Sequence, residues 1–131
     1  MRVFTDRYGA GVELAQRLEP LLQSDADGGG IVVLGMPRGG MPVAFEVAER
    51  LEASLDVLPM RHLGVPARPG LYYGTMGEGG VRLIDDAVVR DCHLGDHEMA
   101  QIEAKQLATL RRQARRMRGG RARVPLVGRV A

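Results

Sequence analysis

The sequence predicts an α/β protein built on a parallel sheet, and two observations carry that prediction. Residues 31–34 (IVVL) form an apolar run without polar alternation, which is typical of a strand buried on both faces. A glycine-rich loop and then helical spacing follow this run directly, in the order of a βα unit. A chain of 131 residues, 45% of them hydrophobic, is long enough for about one such domain.

The N-terminal segment, residues 6–22, is predicted as an amphipathic helix. Asp6 belongs to the residue types that cap helices, and apolar side chains recur at three- and four-residue steps through Ala10, Leu14 and Leu18. Residues 24–30, composed of Ser, Asp, Ala and Gly, are predicted as the turn between this helix and the first strand.

A second helix and a second strand follow the glycine-rich loop. Residues 41–51 recover helical spacing through Val43, Val47 and Leu51. Residues 55–60 are predicted as a strand, and Pro59, which cannot donate to a ladder, indicates a sheet edge or a strand end.

The C-terminal half is predicted as a hairpin, a long helix and a further strand. Residues 71–76 and 81–84 flank the turn GEGG and form the hairpin. Residues 96–118 are predicted as a helix capped by Asp96, with a basic last turn that suits the helix dipole and Gly119-Gly120 as its end. Residues 124–131 resemble the opening of another strand.

Charge is distributed unevenly along the chain. Residues 1–103 carry 9 arginines against 16 acidic residues, whereas residues 104–131 carry 9 basic residues and no acidic one. A basic segment of this kind can bind a nucleic-acid backbone, but arginine-rich helices are more often solvated faces. The aromatic content of 4%, without tryptophan, leaves few stacking platforms, so nucleic acid is the weaker expectation.

The single cysteine, the hydropathy and the spacing of possible metal ligands predict where the protein is located in the cell and whether it binds a metal. Cys92 is the single cysteine, which excludes an internal disulfide and predicts a cytoplasmic protein. No apolar run approaches the roughly 18 residues of a membrane helix, and the N-terminus has no targeting signal, so no membrane association is expected. Cys92, His93 and His97 lack a second cluster that would complete a zinc site, so no protein-held metal is expected.

The loop of residues 36–40 (MPRGG) is the candidate binding site. It lies between a buried strand and the first turn of a helix, where free backbone N–H groups and the helix dipole favour an anion. Gly39 and Gly40 would let a phosphate approach the backbone, with positive φ expected at Gly39, and Arg38 supplies a fork of donors. The pattern is neither a P-loop nor a dinucleotide fingerprint. A tight turn that needs glycine for steric reasons alone has equal weight.

Several stretches of the chain together are similar to a bacterial phosphoribosyltransferase-domain family. The similarity covers almost the whole chain. The stretches are residues 4–7 (FTDR), 10–11 (AG), 14–15 (LA), 33–44 (VLGMPRGGMPVA), 55–57 (LDV), Arg61 and 63–66 (LGVP). The resemblance implies a single domain over residues 1–131 with a type I phosphoribosyltransferase-like (Rossmann-like) parallel-sheet fold and a hairpin hood at about residues 61–84.

The resemblance also implies an activity and its site. In the family, a 5-phosphoribosyl group passes between diphosphate and a base-like acceptor, with 5-phosphoribosyl diphosphate (PRPP) as substrate and Mg²⁺ as cofactor. The diphosphate would be held by Pro37, Arg38, Gly39 and Gly40, often through an unusual cis peptide. Arg61 and His62 begin the hood and are the catalytic candidates. The family pattern has a lysine where His62 stands and an acid where Gly70 stands.

One family motif is not found in the 131 residues. This motif, two hydrophobic residues, two acids and a Thr-Gly loop, cradles the 5-phosphate and is expected after Val130-Ala131, so the domain is expected to be incomplete at its C-terminus. Residues 83–86 (LIDD) imitate its beginning but are predicted as a strand end or turn, because AVVR follows. We therefore expect no transfer by these residues alone, with a non-catalytic anion-binding or regulatory module as the alternative. An unpaired sheet edge near residues 127–131 would favour a homo-oligomer.

Overall fold

The structure, a computed structural model, describes residues 3–22 and 30–131 of a mixed α/β chain. Two compact units make up the chain: the described parts of Met1–Leu58 with Arg121–Ala131, and Pro59–Gly120. Residues 24–29 of the predicted turn lie outside the described residues. No helix in the described ranges is both long and apolar enough to cross a membrane.

The first unit contains the predicted strand, loop and helix in that order. The two strands pair in parallel over their full length, from Val32 opposite Ser54 to Gly35 opposite Val57. The prediction of an α/β protein with a parallel sheet is therefore confirmed. The elements are α1 (Arg7–Leu22), β1 (Val32–Gly35), α2 (Gly40–Arg50) and β2 (Ser54–Val57).

The beginning of α1 follows from its capping residue. The carboxylate of Asp6 accepts the backbone N–H of Gly9 at 2.8 Å, as the sequence predicted for a cap. Further along, α1 lies close against α2, since a Cβ built at Gly11 would lie 2.7 Å from the carbonyl oxygen of Val43. Glycine is required at this contact because a side chain would collide with the backbone of α2.

The C-terminal residues return to the parallel sheet at one point. Val130 forms a parallel bridge with Ile31, and its carbonyl accepts the N–H of Val32 at 2.8 Å. The buried carboxylate of Asp56 accepts the N–H of Val124 at 2.9 Å and so attaches this segment to β2. The strand predicted in residues 124–131 is thus present as a single bridge.

The second unit is an antiparallel sheet in the order β3-β4-β5, packed with helices. Its core contains Leu63, Val65, Tyr73 and Met76, all buried. The predicted hairpin is confirmed as the β4–β5 pair. The elements are β3 (Met60–Gly64), β4 (Tyr72–Gly77), a 3₁₀ turn (Glu78–Gly80), β5 (Arg82–Ile84), α3 (Asp86–Asp91) and α4 (Asp96–Arg118).

Three features of the second unit differ from the sequence prediction: a strand boundary, a short helix that was not predicted, and a helix cap. Met60 belongs to β3 and not to the strand before it, since Pro59 separates the two. The short helix α3 was not predicted; the carboxylate of Asp85 caps it by accepting the N–H groups of Ala87 and Val88. Asp96 does not cap α4, because Gly95 occupies the N-cap position without a side-chain bond. Asp96 instead lies in the first turn of α4, where its negative charge interacts favourably with the positive end of the helix dipole.

The far end of α4 behaves as predicted, with one exception among its basic residues. Gly119 ends the helix in the left-handed conformation, with φ of 57°. Arg118, however, is only 8% exposed, and its guanidinium donates to both carboxylate oxygens of Glu78. One basic residue of the C-terminal segment, Arg118, therefore contributes to the packing of the second unit.

Candidate anion-binding site

The site predicted from the sequence is the connection between β1 and α2. Gly35 ends β1, and a Cβ there would lie 2.5 Å from the Sδ of Met41 and 2.9 Å from the Cβ of Ala44. Glycine thus lets the first turn of α2 pack directly on the strand end, which fixes the position of the loop. The peptide bond between Pro37 and Arg38 is cis, as the resemblance implied.

The backbone N–H groups of the loop divide into two sets. Gly40 donates to the carbonyl of Met36 at 3.0 Å, and Met41 donates to the carbonyl of Arg38 at 3.3 Å. Pro37 has no N–H. In the described part of the chain, the N–H groups of Arg38 and Gly39 have no hydrogen-bond partner. The donors available to an anion are therefore the amides of Arg38 and Gly39, while the amide of Gly40 is used within the turn.

The expectation of positive φ at Gly39 is wrong. Gly39 has φ of −67° and ψ of −25°, because it already adopts the helical conformation of the α2 N-cap. Gly40 also lies outside the left-handed region. The role left for Gly39 is to provide space, since a Cβ there would lie 3.2 Å from the Nε of Arg7 and would cover the exposed loop.

The side chain of Arg38 is exposed and available. Over residues 3–22 and 30–131 its guanidinium makes no hydrogen bond or ion pair. An arginine with no internal partner, next to two free amides at a helix N-terminus, presents the fork geometry and the positive potential that suit a phosphate group.

Arg61 and His62, the catalytic candidates, lie on β3 in the second unit. The Nε of Arg61 donates to the Oε1 of Gln106 at 2.9 Å, and Arg61 is half-buried. His62 is exposed, stacks on Tyr72 with ring centroids 4.7 Å apart, and lies with Nδ1 3.3 Å from the Oγ1 of Thr75. These side chains line one cleft of about 390 Å³ together with Met60, Gly64, Tyr72 and Gln106.

Two of the neighbours found at these positions were not singled out from the sequence. Gln106 is 45 residues from Arg61 along the chain, so no local pattern could have paired them. The position of Arg7 could have been inferred from its spacing. It lies four residues before Gly11 on α1, and therefore on the helix face that contacts α2.

The acidic residues of the described part of the chain bear on the Mg²⁺ that the resemblance implies. Among the described residues, no three His, Cys, Asp or Glu side chains converge. Asp85 and Asp86, the acidic pair after β5, are part of the start of α3, where the Asp85 carboxylate accepts two backbone N–H groups.

The fold is that of an α/β protein with a parallel βα unit, and within the described residues the loop of this unit presents two amides and a guanidinium without a partner. The chain is 54% identical over all 131 residues to the protein named "Putative phosphoribosyl transferase" in two strains of Mycobacterium tuberculosis, CDC 1551 and H37Rv. It spans 28% of the length of these curated relatives. The predicted resemblance to phosphoribosyltransferase proteins is confirmed by these matches.

A solved structure extends the similarity to the fold. The crystal structure of TT1426 from Thermus thermophilus matches with a TM-score of 0.73 and 39% sequence identity. The match covers 98% of this chain and 58% of the Thermus chain. No family model matches the sequence.

Proposed function

We propose that this chain supplies the diphosphate-binding part of a phosphoribosyltransferase, which transfers a 5-phosphoribosyl group between diphosphate and a base-like acceptor. The observation that carries the proposal is that, among the described residues, the amides of Arg38 and Gly39 and the adjacent Arg38 guanidinium have no hydrogen-bond or ion-pair partner. The similarity of all 131 residues to part of proteins named putative phosphoribosyl transferase supports it.

The chemistry of transfer requires what this loop offers. When the bond from the ribose to the diphosphate breaks, negative charge develops on the departing diphosphate. Amide donors and a guanidinium held in place before the reaction stabilise that charge without reorganisation. The close packing of α2 on Gly35 fixes the two amides, so the loop also orients the diphosphate relative to the reacting carbon.

Magnesium would reach such a site with its substrate. Mg²⁺ in phosphoryl and nucleotide sites is commonly held through substrate phosphates with few protein ligands. The loop itself would contribute the amides of Arg38 and Gly39 and the guanidinium of Arg38.

Arg61 and His62 are proposed to stabilise charge during transfer. One N–H of the Arg61 guanidinium is bonded to Gln106, which anchors the side chain while the other donors remain available. His62 stands where the family has lysine, so it would offer a ring N–H donor in place of an ammonium group.

The proposal is tested by titrating diphosphate into the 131-residue chain by calorimetry. We expect Arg38→Gln to weaken binding roughly tenfold, the size of one charge-assisted hydrogen bond. Gly39→Val should weaken it further, because a branched side chain would cover the two free amides. Arg50→Gln is the matched control: Arg50 lies in the last turn of α2, a helix about 16 Å long, and should bind within about twofold of wild type.

Circular dichroism and thermal unfolding of each variant establish that the fold is retained. Equal diphosphate affinity in wild type, Arg38→Gln and Gly39→Val would refute the loop as the binding site.

A second candidate function is anion binding without turnover, as in a regulatory module. The observation that favours it is that the carboxylate of Asp85 is engaged as the cap of α3, where it accepts the N–H groups of Ala87 and Val88. Diphosphate release from PRPP distinguishes the two functions, because a binding module retains affinity and releases nothing.

A further inference from the structure

We propose that Arg7 is a second cationic binding residue of the loop, so that the diphosphate is held between the guanidinium groups of Arg7 and Arg38. The proposal rests on the proposed function of the loop. It adds a residue from α1 to a site that the sequence pattern places entirely between β1 and α2.

The position of the Arg7 side chain carries the inference. A Cβ built at Gly39 would lie 3.2 Å from Nε, 3.5 Å from Nη2 and 3.7 Å from Cζ of Arg7. The guanidinium group therefore lies beside Gly39, whose N–H is one of the two amides without a partner among the described residues. Both Arg7 and Gly39 are exposed, so a ligand can reach the two groups together.

The packing of α1 against α2 explains why Arg7 lies there. Gly11 packs against the backbone of Val43. Four residues closer to the N-terminus of each helix, Arg7 lies beside Gly39. Each pair is four residues apart on its own helix, so both contacts lie on the same interface. The placement of Arg7 is thus set by backbone contact between two helices.

The electrostatic surroundings of the Arg7 guanidinium indicate that its position is favourable when an anion is bound and unfavourable when none is bound. The N-terminus of a helix carries a partial positive charge, so a guanidinium beside the start of α2 is unfavourably placed. In the described ranges neither Arg7 nor Arg38 has a hydrogen-bond or ion-pair partner to offset this. An anion with more than one charged group, such as diphosphate, would neutralise both side chains and the helix end at once.

The test compares diphosphate binding by wild type, Arg7→Gln, Arg7→Lys and Arg17→Gln. We expect Arg7→Gln to weaken binding roughly tenfold and Arg7→Lys to restore part of the loss, since charge is kept and the fork is lost. Arg17→Gln is the control, because Arg17 is an exposed arginine on the same helix that pairs with Glu13 at 2.9 Å. Its affinity should stay within about twofold of wild type.

Thermal unfolding without ligand provides a readout that a purely structural role would not give. If Arg7 serves the ligand, Arg7→Gln should unfold at the same temperature as wild type or higher, because a repelled charge is removed. A lower unfolding temperature for Arg7→Gln, unrelieved by Arg7→Lys, would overturn the proposal in favour of a structural role.

The outcomes separate this inference from the proposed function. If wild type binds diphosphate and only Arg38→Gln weakens it, the role of Arg7 is overturned and the loop remains the site. If wild type does not bind diphosphate, the proposed function and the role of Arg7 both fail.

Discussion

Two arginines show how the surroundings of a residue decide its role in this protein. Arg118 is buried and bonded to Glu78, and it therefore contributes to packing. Arg38 is exposed and, among the described residues, has no partner. The sequence grouped Arg118 with the basic segment that would contact nucleic acid, and its burial removes it from such a surface. Nucleic-acid binding stays the weaker prediction, and a steep salt dependence of RNA binding would support it.

Tyr73 gives a residue-scale prediction about alkaline stability. Tyr73 is 0% exposed, and its burial, followed by the nearby charge of Glu103, raises the pKa of the phenol to about 12 from the ordinary value of 10.0. The folded state therefore holds the phenol proton more tightly than the unfolded state does. The stability this provides is complete below pH 10 and is lost as the pH rises toward 12.

The measurement is the free energy of unfolding by urea at several pH values. At pH 11 the wild type should have lost about 1.4 kcal/mol relative to pH 8 through this group. Tyr73→Phe should not show this decrease in the free energy of unfolding. Tyr72→Phe is the control, because Tyr72 is 49% exposed and should follow the wild-type pH dependence. Parallel pH profiles for wild type and Tyr73→Phe would contradict the prediction.

At the scale of elements, the contact between α1 and α2 determines where the loop and Arg7 meet. Gly11 allows this contact, and Gly35 allows α2 to pack on the end of β1. Both glycines are used for close approach and neither needs an unusual backbone conformation. The site therefore depends on two packing contacts outside the loop itself.

Gly11→Ala tests the dependence of the site on helix packing. The added Cβ would lie 2.7 Å from the Val43 carbonyl oxygen and 2.8 Å from the Glu46 Cβ, so α1 must move away from α2. We expect a loss of about 1 to 3 kcal/mol in unfolding free energy despite the better helix propensity of alanine. Diphosphate affinity should fall as well, because Arg7 moves with α1.

Gly9→Ala is the matched control on the same helix. A Cβ at Gly9 would meet only the Asp6 Oδ1, at 3.4 Å, which is an ordinary contact. This variant should be neutral or up to about 1 kcal/mol more stable, with unchanged diphosphate affinity. Equal stability of the two variants would show that the helices can separate without cost.

At the scale of the whole molecule, PRPP has two phosphate-bearing ends, and these residues present one predicted cradle. The loop at residues 37–40 is proposed to hold the diphosphate, but the ribose would lack a second fixed point, and orientation can be worth about 7 kcal/mol or more. We expect the 131-residue chain to bind diphosphate and to release none from PRPP in the presence of Mg²⁺ and a panel of bases.

The assay measures diphosphate release by wild type and by Arg38→Gln at equal concentration. Release by wild type that Arg38→Gln abolishes would contradict the expectation, since it would be turnover at this loop. Release that is equal in both variants and exceeds that of a blank without protein would also contradict it, since the chain would then release diphosphate without the Arg38 guanidinium. In either case calorimetry reports separately whether diphosphate is bound.

Local physical rules made much of the architecture predictable from the sequence. The period of apolar residues defined α1, α2 and α4, and the unbroken apolar run at β1 predicted parallel pairing because both faces of such a strand are buried. The six-residue helix α3 was missed because so short a segment shows no period. Met60 was assigned to the strand before Pro59 because apolar character alone does not say which sheet a residue joins.

The sequence by itself determined that residues 36–40 connect a buried strand to a helix and carry an arginine and glycines, because those properties are local. Only the tertiary structure decided which amides are free, since the turn uses the N–H of Gly40 and leaves those of Arg38 and Gly39. It alone placed Arg7 on Gly39 and Gln106 on Arg61. These contacts join residues far apart in the chain, and the packing of whole helices and strands sets their distances.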